Sequence, residues 1–237
     1  MSADDFREEP ARQSVRAAIA GPIHVINPNS NQAVTDGLTE ALACFRAPGW
    51  PVVECVTLAA GPFGIESQRD SDAVVMPLVE LVEARTDASA HVIACYSDPG
   101  LDVCRSVSEA PVFGIQEAGV LAALARGDRF GVVAIAEGSI ARHRRTMRRM
   151  GVLDRMAGER ALNMSVDESA RGPATFERLQ TVGAALAEDG ADVLVLGCAG
   201  MARHRAALEL ALGLPVVDPV QAAVAMALGA VLPAATG

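Results

Sequence analysis

Short apolar runs alternate along this chain with longer segments that carry apolar residues on one helical face. Ile23-His24-Val25-Ile26, Val52 to Leu58, His91 to Ala94, Pro111 to Ile115, Phe130 to Ile135, Asp192 to Gly197 and Pro215 to Asp218 read as strands, with Arg160 to Val166 as a further short one. Between them, Thr35 to Phe45, Asp70 to Arg85, Glu117 to Ala125, Thr175 to Glu188 and Gln221 to Leu232 read as helices. Another helix opens at Gly138-Ser139, and another follows Cys198 as far as about Leu212. Ser97-Asp98-Pro99-Gly100 predicts a helix start, with Asp98 as its cap and Pro99 in its first turn. Strand and helix in strict alternation predict parallel βαβ units and an α/β fold. Residues 1–21 read as a polar, mobile lead-in.

The pattern restarts near Arg126-Gly127-Asp128-Arg129, and the two halves superpose as sequence. Cys95 precedes Pro111 by 16 residues and Cys198 precedes Pro215 by 17. Each proline opens a short strand, PVFG in one half and PVVD in the other, and an alanine-rich helix follows each. An internal duplication of this kind predicts two related units about a pseudo-two-fold axis. One comprises residues 22–118 with 219–237, the other residues 119–218, and the ends of equivalent strands turn toward one cleft. Ligands of open α/β sheets gather beyond the carboxyl ends of strands, where Cys95 and Cys198 both fall.

Composition narrows the classes of function. Of 237 residues 51% are hydrophobic, yet no uncharged apolar run approaches the roughly 18 residues of a membrane span, so a soluble protein is expected. Aromatics at 3% and a net charge of −9 argue against a nucleic-acid partner. The basic cluster His143-Arg144-Arg145 with Arg148-Arg149 reads as a solvated helix face. The acidic first residues carry no secretory h-region, so the cytoplasm is the expected location. Alanine-rich helices with flat apolar faces suggest a homo-oligomer.

Five cysteines form no CxxC and no Cys/His metal spacing, which fits reduced thiols and no metal site. Cys44, Cys55 and Cys104 fall in apolar or mid-element settings, where a thiol fills core space. Cys95 and Cys198 have strand-end positions followed by glycine-containing turns. A thiol has an ordinary pKa near 8.5 that helix-opening amides can lower, so it serves as base or conjugate acid near neutrality. One thiolate below a carbon and one thiol above it exchange its proton between faces: a racemisation or epimerisation. Backbone amides of the turns Ser97 to Gly100 and Ala199 to Met201 would hold the developing oxyanion. No Walker or GxGxxG element appears, and the chemistry needs no cofactor.

Ile26-Asn27-Pro28-Asn29-Ser30, Ala94-Cys95-Tyr96-Ser97-Asp98-Pro99-Gly100-Leu101 and Leu196-Gly197-Cys198-Ala199-Gly200-Met201 together resemble the aspartate/glutamate/hydantoin racemase family. The hydantoin racemase branch, which includes allantoin racemases, is the most similar. Gly61-Pro62 to Ile65-Glu66 and Pro215-Val216-Val217-Asp218 also fit it, and the similarity covers residues 23 to about 232. The resemblance implies two pseudo-symmetric Rossmann-like domains with the active site between them. It also implies cofactor-independent racemisation of 5-monosubstituted hydantoins, with Cys95 and Cys198 as the two bases. Asn27 would contact the substrate or cap its loop. Tyr96, Ser97, Asp98, Gly100, Ala199, Gly200 and Met201 would line the turns around the ring, Asp98 chiefly as a cap.

Other readings stay open on the same scaffold. Many relatives carry a threonine pair where this chain has Ala134-Ile135-Ala136, so the accepted ring or side chain is expected to differ. His204 lies six residues beyond Cys198, farther than the corresponding histidine of the amino-acid racemases. Few cationic residues in the cleft motifs speak against a free α-carboxylate. The same scarcity speaks against a maleate-type isomerase, and two cysteines speak against an arylmalonate-type decarboxylase. A non-catalytic binding protein of periplasmic type is the alternative of another class, but it has no use for paired thiols.

Overall fold

The computed structural model describes residues 21–171 and 174–232; the lead-in at residues 1–20 and the last five residues lie outside them. Eight strands form two parallel four-stranded sheets. The first contains β1 (Ile23–Asn27), β2 (Val53–Thr57), β3 (Ala90–Ile93) and β4 (Val112–Gly114), in the order β2-β1-β3-β4. The second contains β5 (Phe130–Ala134), β6 (Met156–Ala161), β7 (Val193–Gly197) and β8 (Val216–Val217), in the order β6-β5-β7-β8. The identical strand order is the internal repeat expressed as topology.

Ten helices connect the strands among the described residues: α1 (Gln32–Ala41), α2 (Gln68–Ala73), α3 (Val75–Ala84), α4 (Leu101–Val107), α5 (Ile115–Leu124), α6 (Glu137–Met150), α7 (Val166–Arg171), α8 (Thr175–Glu188), α9 (Arg205–Leu212) and α10 (Pro219–Val231). None is long and apolar enough to cross a membrane. The expected single helix from Asp70 to Arg85 is two. Ser67 and Asp70 form a reciprocal capping box that starts α2 early, and the first segment ends at Val74. The expected strand at 160–166 lies earlier, at Met156–Ala161, where it pairs with β5 across a register shift at Phe130/Gly131. It is the sheet edge, so its polar sequence MAGERA hid it from an apolar search.

Central strands are buried on both faces, as their continuous apolar runs require. Ile23, Val25, Val92, Phe130, Val132, Val193 and Val195 point into one core shared by the two sheets. Ile26 and Ile93 point outward against Leu78, Val82 and Cys104 of α3 and α4. Val133, Leu194 and Leu196 do the same against Leu179, Leu186 and Leu208 of α8 and α9. Each fully buried aliphatic side chain contributes about 1.5–3 kcal/mol relative to exposure.

The shared core exists because two helices cross. α5 leaves the first sheet and packs on β7, while α10 leaves the second and packs on β3 and β4. They touch each other along the way, and Gly119 permits the approach: a Cβ there would lie 2.8 Å from Pro219.

Both crossing helices begin on a carboxylate, supplied in two different ways. Asp218 is the N-cap of α10 and accepts from the amides of Val220 (2.8 Å) and Gln221 (2.9 Å). The matching cap position of α5 is Gly114, which has no side chain. Asp98, from the turn after Cys95, fills the vacancy and accepts from Gln116 and Glu117, both at 2.9 Å. Asp98 therefore does not cap α4 as the Ser97-Asp98-Pro99-Gly100 pattern suggests; Gly100 holds that position, with φ 67°. Asp98 itself adopts φ 44°, a left-handed conformation that Asp tolerates better than most residues.

A Cβ on Gly114 would fall 2.3 Å from the Asp98 carboxyl carbon. Gly114→Ala is therefore expected to destabilise the fold by about 1–3 kcal/mol through overpacking. Urea unfolding checks this, and the cost should shrink in an Asp98→Ala background, since the two changes share one contact.

Candidate active site

β3 ends at Ile93 and β7 at Gly197, and within two residues each chain enters a turn that opens with cysteine. The Cys95 carbonyl accepts from the Asp98 amide (2.9 Å), and the Cys198 carbonyl accepts from the Met201 amide (3.2 Å). Each sulfur receives the amide two residues on: Ser97 for Cys95 and Gly200 for Cys198. Among the described residues the amides immediately after the sulfurs, Tyr96 and Ala199, have no backbone acceptor. The two turns thus match, each with one amide on sulfur and one without an acceptor among the described residues.

The two turns line one cavity. Ala94, Cys95, Tyr96 and Ser97 form one side; Gly197, Cys198 and Ala199 form the other. Asn29, Ile65, Ile135, Ser139, Arg142, His143 and Val166 complete much of the wall. Of the expected site residues, Cys95, Tyr96, Ser97, Cys198 and Ala199 meet there. Asp98, Gly100, Gly200 and Met201 sit behind them, holding the turns.

Asn27 does not reach the cavity. It is fully buried and donates to Asn29 Oδ1 (3.0 Å), the Asn31 carbonyl (3.2 Å) and Thr35 Oγ1 (3.0 Å). That network fixes the loop so that Asn29 lines the wall instead. Among the remaining cysteines, Cys104 is buried and Cys55 partly so, as packing residues should be. Cys44 is exposed, in the short 3₁₀ turn after α1, and fills no core space.

Electrostatics differ from the simple expectation of amide-activated thiols. Burial pushes the Cys95 thiol up to about 12, helped by the nearby Cys198 and opposed by Arg142 and the Ser97 amide. Cys198 is raised as well, chiefly by burial, against the Gly200 amide and the Ser169 hydroxyl. Ser169 Oγ lies 3.7 Å from Cys198 Sγ. Behind the turns, burial lifts Asp98 to about 7 and Asp218 to about 6 even though each accepts two amides.

The wall supplied by α6 is the part that sequence motifs missed. Arg144, Arg145, Arg148 and Arg149 are exposed, as the basic cluster suggested, but Arg142 and His143 turn inward and are buried. Ser139, Arg142 and His143 stand at i, i+3 and i+4, so they share one helical face, and all three line the cavity. Arg142 Nε donates to Ser97 Oγ at 2.8 Å. His143 Nδ1 lies 2.6 Å from Glu159 Oε1, a pair with almost no exposure, and its ring meets Tyr96 edge-on at 5.1 Å. The spacing of Ser139 against the arginines was the available signal; the run of charge obscured it. Among the described residues no group of three or more His, Cys, Asp or Glu is arranged to hold a metal ion.

Comparison with known proteins agrees with this architecture. A family model described as Asp/Glu/hydantoin racemase matches residues 23–227. The hydantoin racemase of Paenarthrobacter aurescens is 35% identical over 210 residues, covering 85% of this chain and 87% of that protein. The hydantoin racemase of Rhizobium meliloti is 36% identical over 211 residues, covering 86% of each. The allantoin racemase structure from Klebsiella pneumoniae superposes with a TM-score of 0.84 at 30% identity, covering 90% of this chain and 88% of that one. Two parallel sheets in one strand order, paired cysteine turns and a match over nearly the full length lead to one conclusion: the chain belongs to the Asp/Glu/hydantoin racemase family of isomerases.

Proposed function

We propose that this protein racemises 5-monosubstituted hydantoins by cofactor-independent 1,1-proton transfer between Cys95 and Cys198. The observation that carries the reading is that both cysteines, on equivalent strand ends, line one cavity. We take the chain as two units, residues 22–118 with 219–237 and residues 119–218, meeting at that cavity.

In this mechanism the thiolate of one cysteine takes the C5 proton. The electron pair moves toward the adjacent ring carbonyl, and the opposite thiol delivers its proton to the other face of C5. Product leaves with inverted configuration and the two sulfurs have exchanged roles. The unspent amides of Tyr96 and Ala199 are placed to donate to ring oxygens as charge develops. Burial of the sulfurs serves the same end: it makes thiolates fewer, but each is a stronger base and better matched to a carbon acid. The hydantoin assignment draws its support from the two hydantoin racemases at 35% and 36% identity.

Arg142 favours a second reading. A cation lines the cavity where the motifs alone promised none, so an acyclic acid such as aspartate, glutamate or maleate is the alternative substrate class. A panel of 5-alkylhydantoins, allantoin, aspartate, glutamate and maleate, followed by polarimetry and proton NMR in heavy water, separates the two. Loss of the C5 proton signal from either hydantoin enantiomer is the expected result; turnover of the acyclic acids alone would replace the hydantoin reading.

Cys95→Ser and Cys198→Ser should each lower racemisation by about a hundred- to ten-thousandfold. Near-normal turnover in both single variants would remove the two-base mechanism.

The pH dependence follows from the raised thiols. At neutral pH the thiolate is the minor form, so kcat/KM should rise by up to about tenfold per pH unit above 7 until the first thiol titrates. Alkylation of Cys95 by iodoacetamide in the free enzyme should still be rising at pH 10, where free cysteine, with a pKa of about 8.5, has levelled off. A plateau near pH 8 would show that burial does not control this sulfur.

A further inference from the structure

Buried guanidinium groups are normally matched by a carboxylate, because an unpaired charge in a low-dielectric site is strongly destabilising. Arg142 is 7% exposed and, among the described residues, forms no ion pair. Among the described residues its one hydrogen bond is from Nε to Ser97 Oγ, which is a neutral acceptor. That bond holds the plane of the guanidinium while leaving the terminal Nη atoms without a partner among the described residues; nor are they among the sealed, unsatisfied polar atoms. The side chain lines the cavity.

Carboxylates near this wall are committed elsewhere. Glu159 pairs with His143 at 2.6 Å. Asp70 accepts from the amide and hydroxyl of Ser67 at 2.9 and 2.8 Å. Asp98 accepts from Gln116 and Glu117 at the start of α5. A further wall residue, Ile135, offers no donor, and the Ser139 hydroxyl is spent on the Ala136 carbonyl at 2.7 Å. Arg142 is therefore the cationic fork on this wall, fixed at one end and unspent at the other. Guanidinium presents two parallel N–H groups in the geometry that a carboxylate accepts.

We propose that Arg142 is the substrate-specificity residue of the cleft: it receives a carboxylate carried on the C5 substituent, and the preferred substrates are hydantoins with acidic side chains. The proposal rests on the hydantoin reading above and names the substrate class for that same site.

The test compares hydantoin-5-acetic acid with 5-propylhydantoin, a neutral ring with a side chain of similar length, by C5-proton exchange in heavy water. Wild-type kcat/KM should favour the acidic ring by about tenfold to a hundredfold, the range of a charge-assisted hydrogen bond. The preference should weaken as salt is raised. In Arg142→Met the acidic-to-neutral ratio should fall to about one, and Arg142→Lys, which keeps charge without the fork, should lie between. The ratio is the readout, so a general loss of activity does not mimic the result. A ratio that stays the same in Arg142→Met, or a wild type that prefers the neutral ring, overturns the proposal.

Should Arg142→Met fail to fold, the wild-type preference and its salt dependence decide the matter. Should no hydantoin exchange at all, the hydantoin reading is what has failed. Calorimetric binding of the two rings to Cys95→Ser then tests Arg142 independently: tighter binding of the acid supports the receptor, and equal binding refutes it.

Discussion

Two carboxylates at the starts of two crossing helices hold this structure together. α5 and α10 each leave their own sheet to pack on the other, and helix exchange is what merges the inner faces into one core. A helix entering a core brings amides with it that have no partner in its first turn. Asp98 and Asp218 satisfy those amides, at the two places where the chain passes from one half to the other. Both carboxylates also lie behind cysteine turns, close enough that their charge raises the sulfur on their own side. Crossing, capping and thiol basicity are consequently one problem with one solution.

Duplication explains the repeat but not its asymmetry. The second half keeps its cap within the helix, as PVVD; the first half has PVFG and borrows its cap from the turn three residues beyond Cys95. The equivalent position in the second half is Met201, an apolar residue buried in the outer core. One half thus carries the carboxylate on the helix and the other on the turn, and in the first half the Asp98 carboxyl occupies the space of a Gly114 side chain. Symmetry of the backbone survives because either route delivers two acceptor bonds to the same pair of amides.

The sequence made the central strands legible because burial on both faces leaves continuous apolar runs, as in His91 to Ala94 and Asp192 to Gly197. Turn chemistry placed both cysteines at strand ends. Legibility failed where a residue's role depends on a partner distant in sequence. Asp98 reads as a local cap, yet its partners are Gln116 and Glu117. Asn27 reads as a substrate contact or a loop cap, a choice made only by the three acceptors that close around it. β6 was read too far along the chain, at 160–166 rather than Met156–Ala161, because an edge strand need not be apolar. Arg142 was hidden for the opposite reason: it adjoins a basic run, and only the angle between residues on α6 separates the buried arginine from the exposed ones.

α6 also reaches across to the first half on its outer side. Arg145 donates to Gln68 Oε1 at 2.6 Å and Arg149 meets Asp102 at 3.3 Å, while on the neighbouring helix Asp167 accepts from Asn31 at 3.1 Å. The Arg149–Asp102 pair is well exposed, and such pairs contribute about 0–1 kcal/mol each. The margin of the cleft is thus joined by individually weak, largely exposed contacts, whereas the apolar core shared by the two sheets lies beneath it.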